Sequence, residues 1–335
     1  MPPLRQWSRH SSLPRGSTLA LTLLTALALA ACGTAAEDAT ASSSTSSSRS
    51  ASAPAAPAGF PVSIDADNGT VDVTERPTRI VSLSATATES LFAIGAGQQV
   101  AAVDDQSNYP PEAPISALSA FRPNAEAIIG YNPDLVVASN DQDGIVARLE
   151  SLEVPVLLLG AATDLEQAYG QIGTLGAATG HGQEASAVVE QMATRLEAIV
   201  AGTPVPDPPV TVFHELAPDL HSATSATFIG SIYDRLGVDN VADPAAVAGN
   251  AYPQLTSEAV VEADPDLIVL ADTKCCAQSA ATVATRPGWA GISAVRTGAV
   301  VEADDDVASR WGPRIVDFTE LVSGRVRELA AGPRP

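Results

Sequence analysis

The stretch Asn124-Ala-Glu-Ala-Ile-Ile-Gly-Tyr-Asn-Pro-Asp-Leu-Val-Val-Ala-Ser-Asn140 returns 132 positions later, little changed, as Thr256-Ser-Glu-Ala-Val-Val-Glu-Ala-Asp-Pro-Asp-Leu-Ile-Val-Leu-Ala-Asp272. Each copy opens on a polar N-cap, Asn124 or Thr256, and places a glutamate two residues on, Glu126 or Glu258. A short amphipathic helix follows, broken by Pro-Asp, and then an apolar run suited to a strand buried on both faces of a parallel sheet. One αβ unit is thus used twice. Duplication at that distance predicts two similar lobes and a cleft between them.

Outward from the repeat, strand-like and helix-like segments alternate. Ile80-Val-Ser-Leu83, Val100-Ala-Ala-Val103, Leu135-Val-Val-Ala138 and Val156-Leu-Leu-Leu159 are the strands expected before residue 180. Val210-Thr-Val-Phe213, Leu267-Ile-Val-Leu270 and Ala299-Val-Val-Glu302 continue the pattern. Parallel sheets with helical crossovers follow, so the fold class expected is α/β, two similar doubly wound lobes with a ligand cleft between them. Residues 183–201 place Ala185, Val188, Met192, Leu196 and Ile199 at helical spacing, a rod of roughly 28 Å. This helix either joins the lobes or lies on the surface of the first one. A last helix, near residues 313–330, carries Ile315, Phe318, Val322, Val326 and Leu329 on one face.

The amino terminus carries Arg5, Arg9 and Arg15, an uncharged Leu/Ala/Thr-rich run, and Leu29-Ala-Ala-Cys32. A basic flank, a short apolar core and small residues before the cut describe an export signal over residues 1–31. Leu-Ala-Ala-Cys resembles the bacterial lipobox, which makes Cys32 the expected lipidation site. Residues 32–59 are Ala, Ser, Thr and Pro with little to fill a core, a flexible tether. The expected location is therefore outside the cell, lipid-anchored to the outer face of the membrane. The formal net charge of −21 excludes a nucleic-acid partner, whose phosphates require a basic face.

The order of blocks extends the repeat into a family pattern. Arg79-Ile-Val-Ser-Leu-Ser-Ala-Thr-Ala-Thr-Glu-Ser-Leu-Phe-Ala-Ile-Gly-Ala-Gly97, then Asn108-Tyr-Pro-Pro-Glu112, then the Glu126 unit resembles the substrate-binding proteins of ABC importers for ferric siderophores, haem and cobalamin. The resemblance covers about residues 78–330 and is nearest the cobalamin branch around Asn-Tyr-Pro-Pro-Glu. It implies an N-terminal lobe over residues 60–180, a linking helix over 181–203 and a C-terminal lobe over 204–335. It also implies a monomeric capture protein with no cofactor, which delivers its chelate to a permease dimer and its ATPase. In that family the glutamates matching Glu126 and Glu258 meet arginines of the permease.

Ligands of open α/β sheets collect beyond the carboxyl ends of the strands. Aromatic side chains are scarce here, which makes loop aromatics informative: Tyr109, Phe121, Tyr252 and Trp311. The resemblance implies that Tyr109, Phe121 and Tyr252 contact the ligand, and flat apolar faces suit a corrin, a porphyrin or a catecholate rim. Packing of these rings on the surface of their own lobe is the other reading. Arg122, Arg310 and, less so, Arg314 are candidates for an anionic chelate, with Arg310 alternatively pairing with Asp304, Asp305 or Asp306. Ser84-Ala-Thr-Ala-Thr88 either faces the ligand with its amides or caps a helix through Thr86 or Thr88.

His214-Glu215 and Asp219-x-His221 supply metal-ligating types without a third or fourth ligand, and read as solvated loop histidines. Cys275 and Cys276 follow Lys274, the only lysine, and are open to either a vicinal disulfide or two free thiols. Their adjacency reads as structural rather than catalytic. No Gly-x-Ser-x-Gly elbow, phosphate-binding loop or Cys-x-x-Cys zinc spacing accompanies them. Capture of a ferric siderophore or cobalamin is the function expected. Haem or bare-metal capture, an anchored thiol-dependent enzyme and a sensor module are the alternatives.

Overall fold

The computed structural model describes residues 59–332. The export signal, Cys32 and, apart from Gly59, the tether lie outside the described residues. Among the described residues no helix is long and apolar enough to cross a membrane.

An antiparallel hairpin opens the described chain, β1 (Val62–Ala66) and β2 (Gly69–Val73). The sequence reading missed it, although Asn68-Gly69 between alternating apolar residues is a strong hairpin signal. Asp67 N–H donates to Leu158 O at 2.9 Å and Asn68 Nδ2 to Val156 O at 3.0 Å, which pins the hairpin to the first lobe.

That lobe is built as β3 (Ile80–Leu83), α1 (Ala85–Ala93), β4 (Val100–Val103), α2 (Ala125–Ile129), β5 (Leu135–Ala138), α3 (Ile145–Glu150) and β6 (Val156–Leu158). The strands are all parallel, in the order β4-β3-β5-β6. Two helices follow, α4 (Leu165–Thr179) and α5 (Gly182–Ala201). The second lobe then runs β7 (Val210–Glu215), α6 (Phe228–Arg235), β8 (Val238–Asn240), α7 (Ser257–Ala263), β9 (Leu267–Leu270), α8 (Thr273–Cys276), α9 (Ala280–Ala284), α10 (Ser293–Thr297) and β10 (Val300–Glu302). Its order is β8-β7-β9-β10, again all parallel. Numbered within each lobe, both sheets read 2-1-3-4. The chain closes with α11 (Asp305–Ser309) and α12 (Ile315–Ala331).

The two copies of the repeat occupy equivalent places, each supplying the helix before the third strand. Asn124 accepts from Ala127 N–H and Thr256 from Ala259 N–H, so both caps form as the sequence predicts. The Pro-Asp breaks serve one purpose. Asp134 accepts from Thr78 N–H at 2.7 Å, Thr78 O–H at 2.9 Å and Arg79 N–H at 3.0 Å, tying the entry of β3 to that of β5. Asp266 accepts from Thr211 N–H at 3.1 Å and so ties β7 to β9. The residue before each proline, Asn132 at φ 48° and Asp264 at φ 42°, adopts the left-handed conformation that both side chains tolerate.

Helix α5 lies between the last strand of one sheet and the first of the next, and packs on α4 and α12. Its twenty residues span roughly 30 Å. One apolar cluster runs from Ile80 and Leu135 through Met192 and Leu196 to Val212 and Phe318, so both sheets share a core along this helix. Each lobe also has an outer core of its own, around Ile128 and Leu149 in the first and around Phe213 and the fully buried Trp289 in the second.

Removing one strand clamp should cost about 1–3 kcal/mol, the range for stranding paired donors. Asp134→Ala and Asp266→Ala are each expected to lower the urea midpoint with the m-value unchanged, Asp134→Ala more so because it serves more donors. Wild-type midpoints in both variants would show that the clamps are incidental.

Candidate functional site

At the carboxyl ends of the first sheet, Ser84 is the N-cap of α1 and accepts from Ala87 N–H at 3.2 Å. This corrects the expectation of a Thr86 or Thr88 cap, since both threonines lie inside the helix. Thr88 instead joins a buried hydroxyl chain, 2.9 Å from Ser82 and 2.9 Å from Ser107, which fastens the loop after β4 against α1. That loop leaves the sheet at Asp104 and returns at Leu118, where Asp105 N–H donates to Leu118 O at 2.8 Å. Asp105 also accepts from Ala120 N–H at 3.1 Å. Tyr109 and Phe121 are thereby held at the two ends of one anchored loop. They are 42% and 68% exposed, which is unusual for large apolar rings.

The second lobe presents Tyr252 in the same manner. Ser222 N–H donates to Pro253 O at 2.9 Å and Thr224 N–H to Ala251 O at 3.0 Å, so the loop after β8 is laced to the loop after β7. Tyr252 stands 47% exposed on that lacing. The three aromatics all lie on carboxyl-end loops, two in one lobe and one in the other.

Glu89 of α1 is 3% exposed and ties the lobes together. It accepts from Arg310 Nη1 at 2.7 Å and from Arg314 Nε at 2.8 Å and Nη2 at 2.5 Å. Arg310 is itself 9% exposed and gives its other donors to Asn108 Oδ1 at 3.1 Å, Gln106 O at 2.8 Å and Asp306 at 2.6 Å. Asn108 Nδ2 completes the circuit to Asp306 at 2.9 Å. Arg314 also stacks over Tyr109, its Cζ 4.2 Å from the ring centroid. Trp311 donates from Nε1 to Gln171 of α4 at 2.8 Å. The segment between β10 and α12 therefore touches α1, α4 and the Tyr109 loop. A cleft of about 500 Å³ beside it is lined by Phe92, Tyr109, Pro110 and Arg314.

Sequence reasoning missed Glu89, because its partners lie 221 and 225 residues away. The structure brings Arg310 and Arg314 together on Glu89 rather than leaving them unspent, and Arg310 pairs with Asp306 as one of its alternatives had it. Arg122 is exposed and has no partner among the described residues. A larger groove of about 610 Å³, lined by Arg76, Asp134 and Glu153, lies at the opposite, amino end of the first sheet, away from these loops.

His214 corrects a second expectation. It is fully buried within β7, with Nδ1 2.7 Å from the Tyr233 hydroxyl, and burial lowers it to about 3, so it stays neutral. His221 is half-buried and pairs with Asp219 at 2.9 Å. No cluster of three or more metal-ligating side chains occurs among the described residues.

Where β7 and β9 end side by side, Glu215 and Asp272 are both fully buried. Arg286 grips Glu215 through both terminal nitrogens, at 2.6 and 2.5 Å, and stacks over Trp289. Neither oxygen of Asp272 meets a donor of the protein. Burial and then the neighbouring Glu215 charge push the Asp272 carboxyl up to about 7. Cys275 and Cys276, in α8 just beyond, form a disulfide.

Two like-ordered α/β lobes sharing a core along one helix, with loop aromatics at their carboxyl ends, define a two-lobed binding protein of the cleft type. The chain belongs to the periplasmic binding protein family, whose model matches residues 80–307. An uncharacterized ABC transporter substrate-binding lipoprotein of Bacillus subtilis is 30% identical over 91% of this chain and 95% of its own length. A cobalamin-binding protein of Halobacterium salinarum is 31% identical over 77% of this chain and 72% of its own. Among solved structures, the periplasmic vitamin B12 binding protein of Vibrio cholerae superposes with a TM-score of 0.64 at 23% identity, over 76% of this chain and 98% of that one. A periplasmic heme-binding protein of Roseiflexus gives 0.67 at 24%, over 76% and 99%. Two similar lobes with parallel sheets are thus the fold of this chain and of those neighbours.

A carboxyl whose folded pKa is raised stabilises least when ionised. The contribution is fully present below about 3.8, the ordinary Asp value, and is lost as pH rises through about 7. Asp272→Asn should therefore match wild type in thermal midpoint near pH 4 and exceed it by a few degrees near pH 8. A difference independent of pH would remove the buried titration.

Proposed function

We propose that this chain is the extracytoplasmic, lipid-anchored binding protein of an ABC importer, and that its ligand is a cobalamin-type corrinoid. It captures the ligand between the lobes and delivers it to the permease without catalysing a reaction. The observation that carries the ligand class is the way the cleft arginines are spent. Arg310 and Arg314 are neutralised by the buried Glu89 together with Asp306, while Tyr109, Phe121 and Tyr252 keep exposed faces. An anionic ferric chelate requires unspent cations, of which Arg122 alone is left among the candidates. A large, nearly neutral ring system requires flat apolar surface, which the three aromatics offer. The cobalamin-binding relative, which covers 77% of this chain, supports the same reading.

For delivery, Glu126 and Glu258 support docking. Both are exposed in the first turn of equivalent helices, one on each lobe. The helix dipole favours a carboxylate there in any case. A two-fold permease, however, presents two equivalent contacts, and the repeated unit supplies the matching pair.

Titration of the purified chain with cyanocobalamin should quench its intrinsic fluorescence saturably, with a Kd of about 1 μM or tighter. Ferric hydroxamate and catecholate chelates are expected to bind at least about tenfold more weakly. Preference for an anionic ferric chelate would reverse the ligand assignment while leaving the importer reading intact.

In cells, Glu126→Arg combined with Glu258→Arg should preserve ligand affinity and abolish uptake, since arginines would face arginines. Unchanged uptake would mean that these residues only begin helices.

A further inference from the structure

We infer that the Cys275–Cys276 disulfide is a ligand-contacting wall of the C-terminal lobe, an uncharged, polarisable sulfur edge against which the ring system of a bound metal chelate packs. The inference rests on the chelate-binding reading above. Nothing in the sequence places these sulfurs near a ligand; their position in the fold does.

A disulfide between neighbours, at a sequence separation of 1, closes almost no chain. It therefore restricts the unfolded ensemble far less than a long-range crosslink. Its effect is local: it replaces two ionisable thiols by a fixed apolar surface. Cys275 is exposed and Cys276 half-buried, so part of that surface meets solvent.

The place is the topological switch point of the second sheet. With strand order β8-β7-β9-β10, the chain leaves β7 toward β8 on one side and later enters β9 on the other. The carboxyl ends of β7 and β9 thus border the crevice where open α/β sheets take their ligands. β7 ends there on Glu215, and β9 runs through Ala271 and Asp272 into α8, which carries the disulfide.

The edge is held rigidly and close to the other lobe. Asp305 accepts from the N–H groups of Thr273 at 2.7 Å, Lys274 at 3.0 Å and Cys275 at 2.9 Å. Lys274 Nζ lies 2.7 Å from Asp304 and 2.8 Å from Asp306, and Asp306 is the residue that Asn108 reaches from the first lobe. The sulfurs are therefore one and two residues from a side chain in the inter-lobe circuit. Beside them, Asp272 keeps both oxygens free of protein donors while fully buried. An uncharged, polarisable edge of this kind suits the flat face of a ring system.

The test uses the purified full chain with cyanocobalamin, a ferric trihydroxamate and haemin, the tightest binder serving as probe. Cys275→Ser with Cys276→Ser should weaken the probe at least about tenfold while the circular dichroism and thermal midpoint stay near wild type. A second readout covers a variant that fails to fold. Dithiothreitol reduces the wild-type disulfide to two thiols and is itself oxidised to its cyclic disulfide, and maleimide labelling of the 275–276 peptide follows the rate. Saturating probe should slow that reduction at least about tenfold, as burial of the sulfurs requires. A wild-type chain that binds none of the three probes overturns the chelate reading and this inference with it. A chain that binds its probe but shows no shielding of the disulfide, or a folded variant with unchanged affinity, overturns this inference alone.

Discussion

A carboxylate shared by two guanidinium groups in a nearly dry site holds the two halves of this protein in register. Among the described residues Glu89 has no other counter-charge within hydrogen-bonding distance, and Arg310 is almost as buried as its partner. Taking such charges from water is expensive, and the arrangement persists because both terminal nitrogens of Arg310 meet two acceptors each. Loss of Glu89 would strip Arg314 of its carboxylate and leave Arg310 with Asp306 alone, a cost of about 3–5 kcal/mol for a broken buried pair. The segment bearing Arg310 and Arg314 is consequently fixed against α1, and with it the Tyr109 loop that Arg314 covers. The cleft geometry descends from this one triad.

The triad acts together with the shared core along α5. A stiff helix whose apolar face serves both sheets resists the wide hinge rotation that flexible strand connections permit. The charged circuit through Asn108, Asp306 and Arg310 adds a second constraint on the other side. Such a molecule recognises its ligand mainly with a surface that exists beforehand, which limits the ordering entropy lost on binding. Anchored aromatic loops fit that mode, since Tyr109, Phe121 and Tyr252 project from segments already laced by backbone hydrogen bonds.

Local pattern carried the architecture. The repeated Pro-Asp units announced both third strands, and the caps at Asn124 and Thr256 formed as their spacing predicts, because capping and strand burial are decided within a few residues. The hairpin at β1–β2 escaped notice although its Asn68-Gly69 turn was legible, and the three-residue β8 did so because Val238-Asp-Asn240 offers no apolar run. Charge partnership was least legible. Arg310 was recognisable as important and Asp306 as a partner, yet Glu89 looked like an ordinary helix residue, since a contact across 221 positions leaves no trace in spacing. His214 was misjudged for a related reason. Its neighbours Phe213 and Glu215 suggested a strand end, whereas the hydroxyl of Tyr233 that makes its burial tolerable comes from the next helix.

The separation between Glu89 and its arginines also orders assembly in time. Synthesis runs from the amino end, and domains fold as they emerge. The first sheet, with its local crossovers, is complete when residue 158 has been made, while its buried glutamate still lacks both counter-charges. Water must therefore keep access to Glu89 until the final segment arrives, so the face that becomes the lobe junction stays wet and open through most of folding. The last turn before α12 works as a closing stitch. It makes completion of the chain, rather than completion of either lobe, the event that creates a binding cleft.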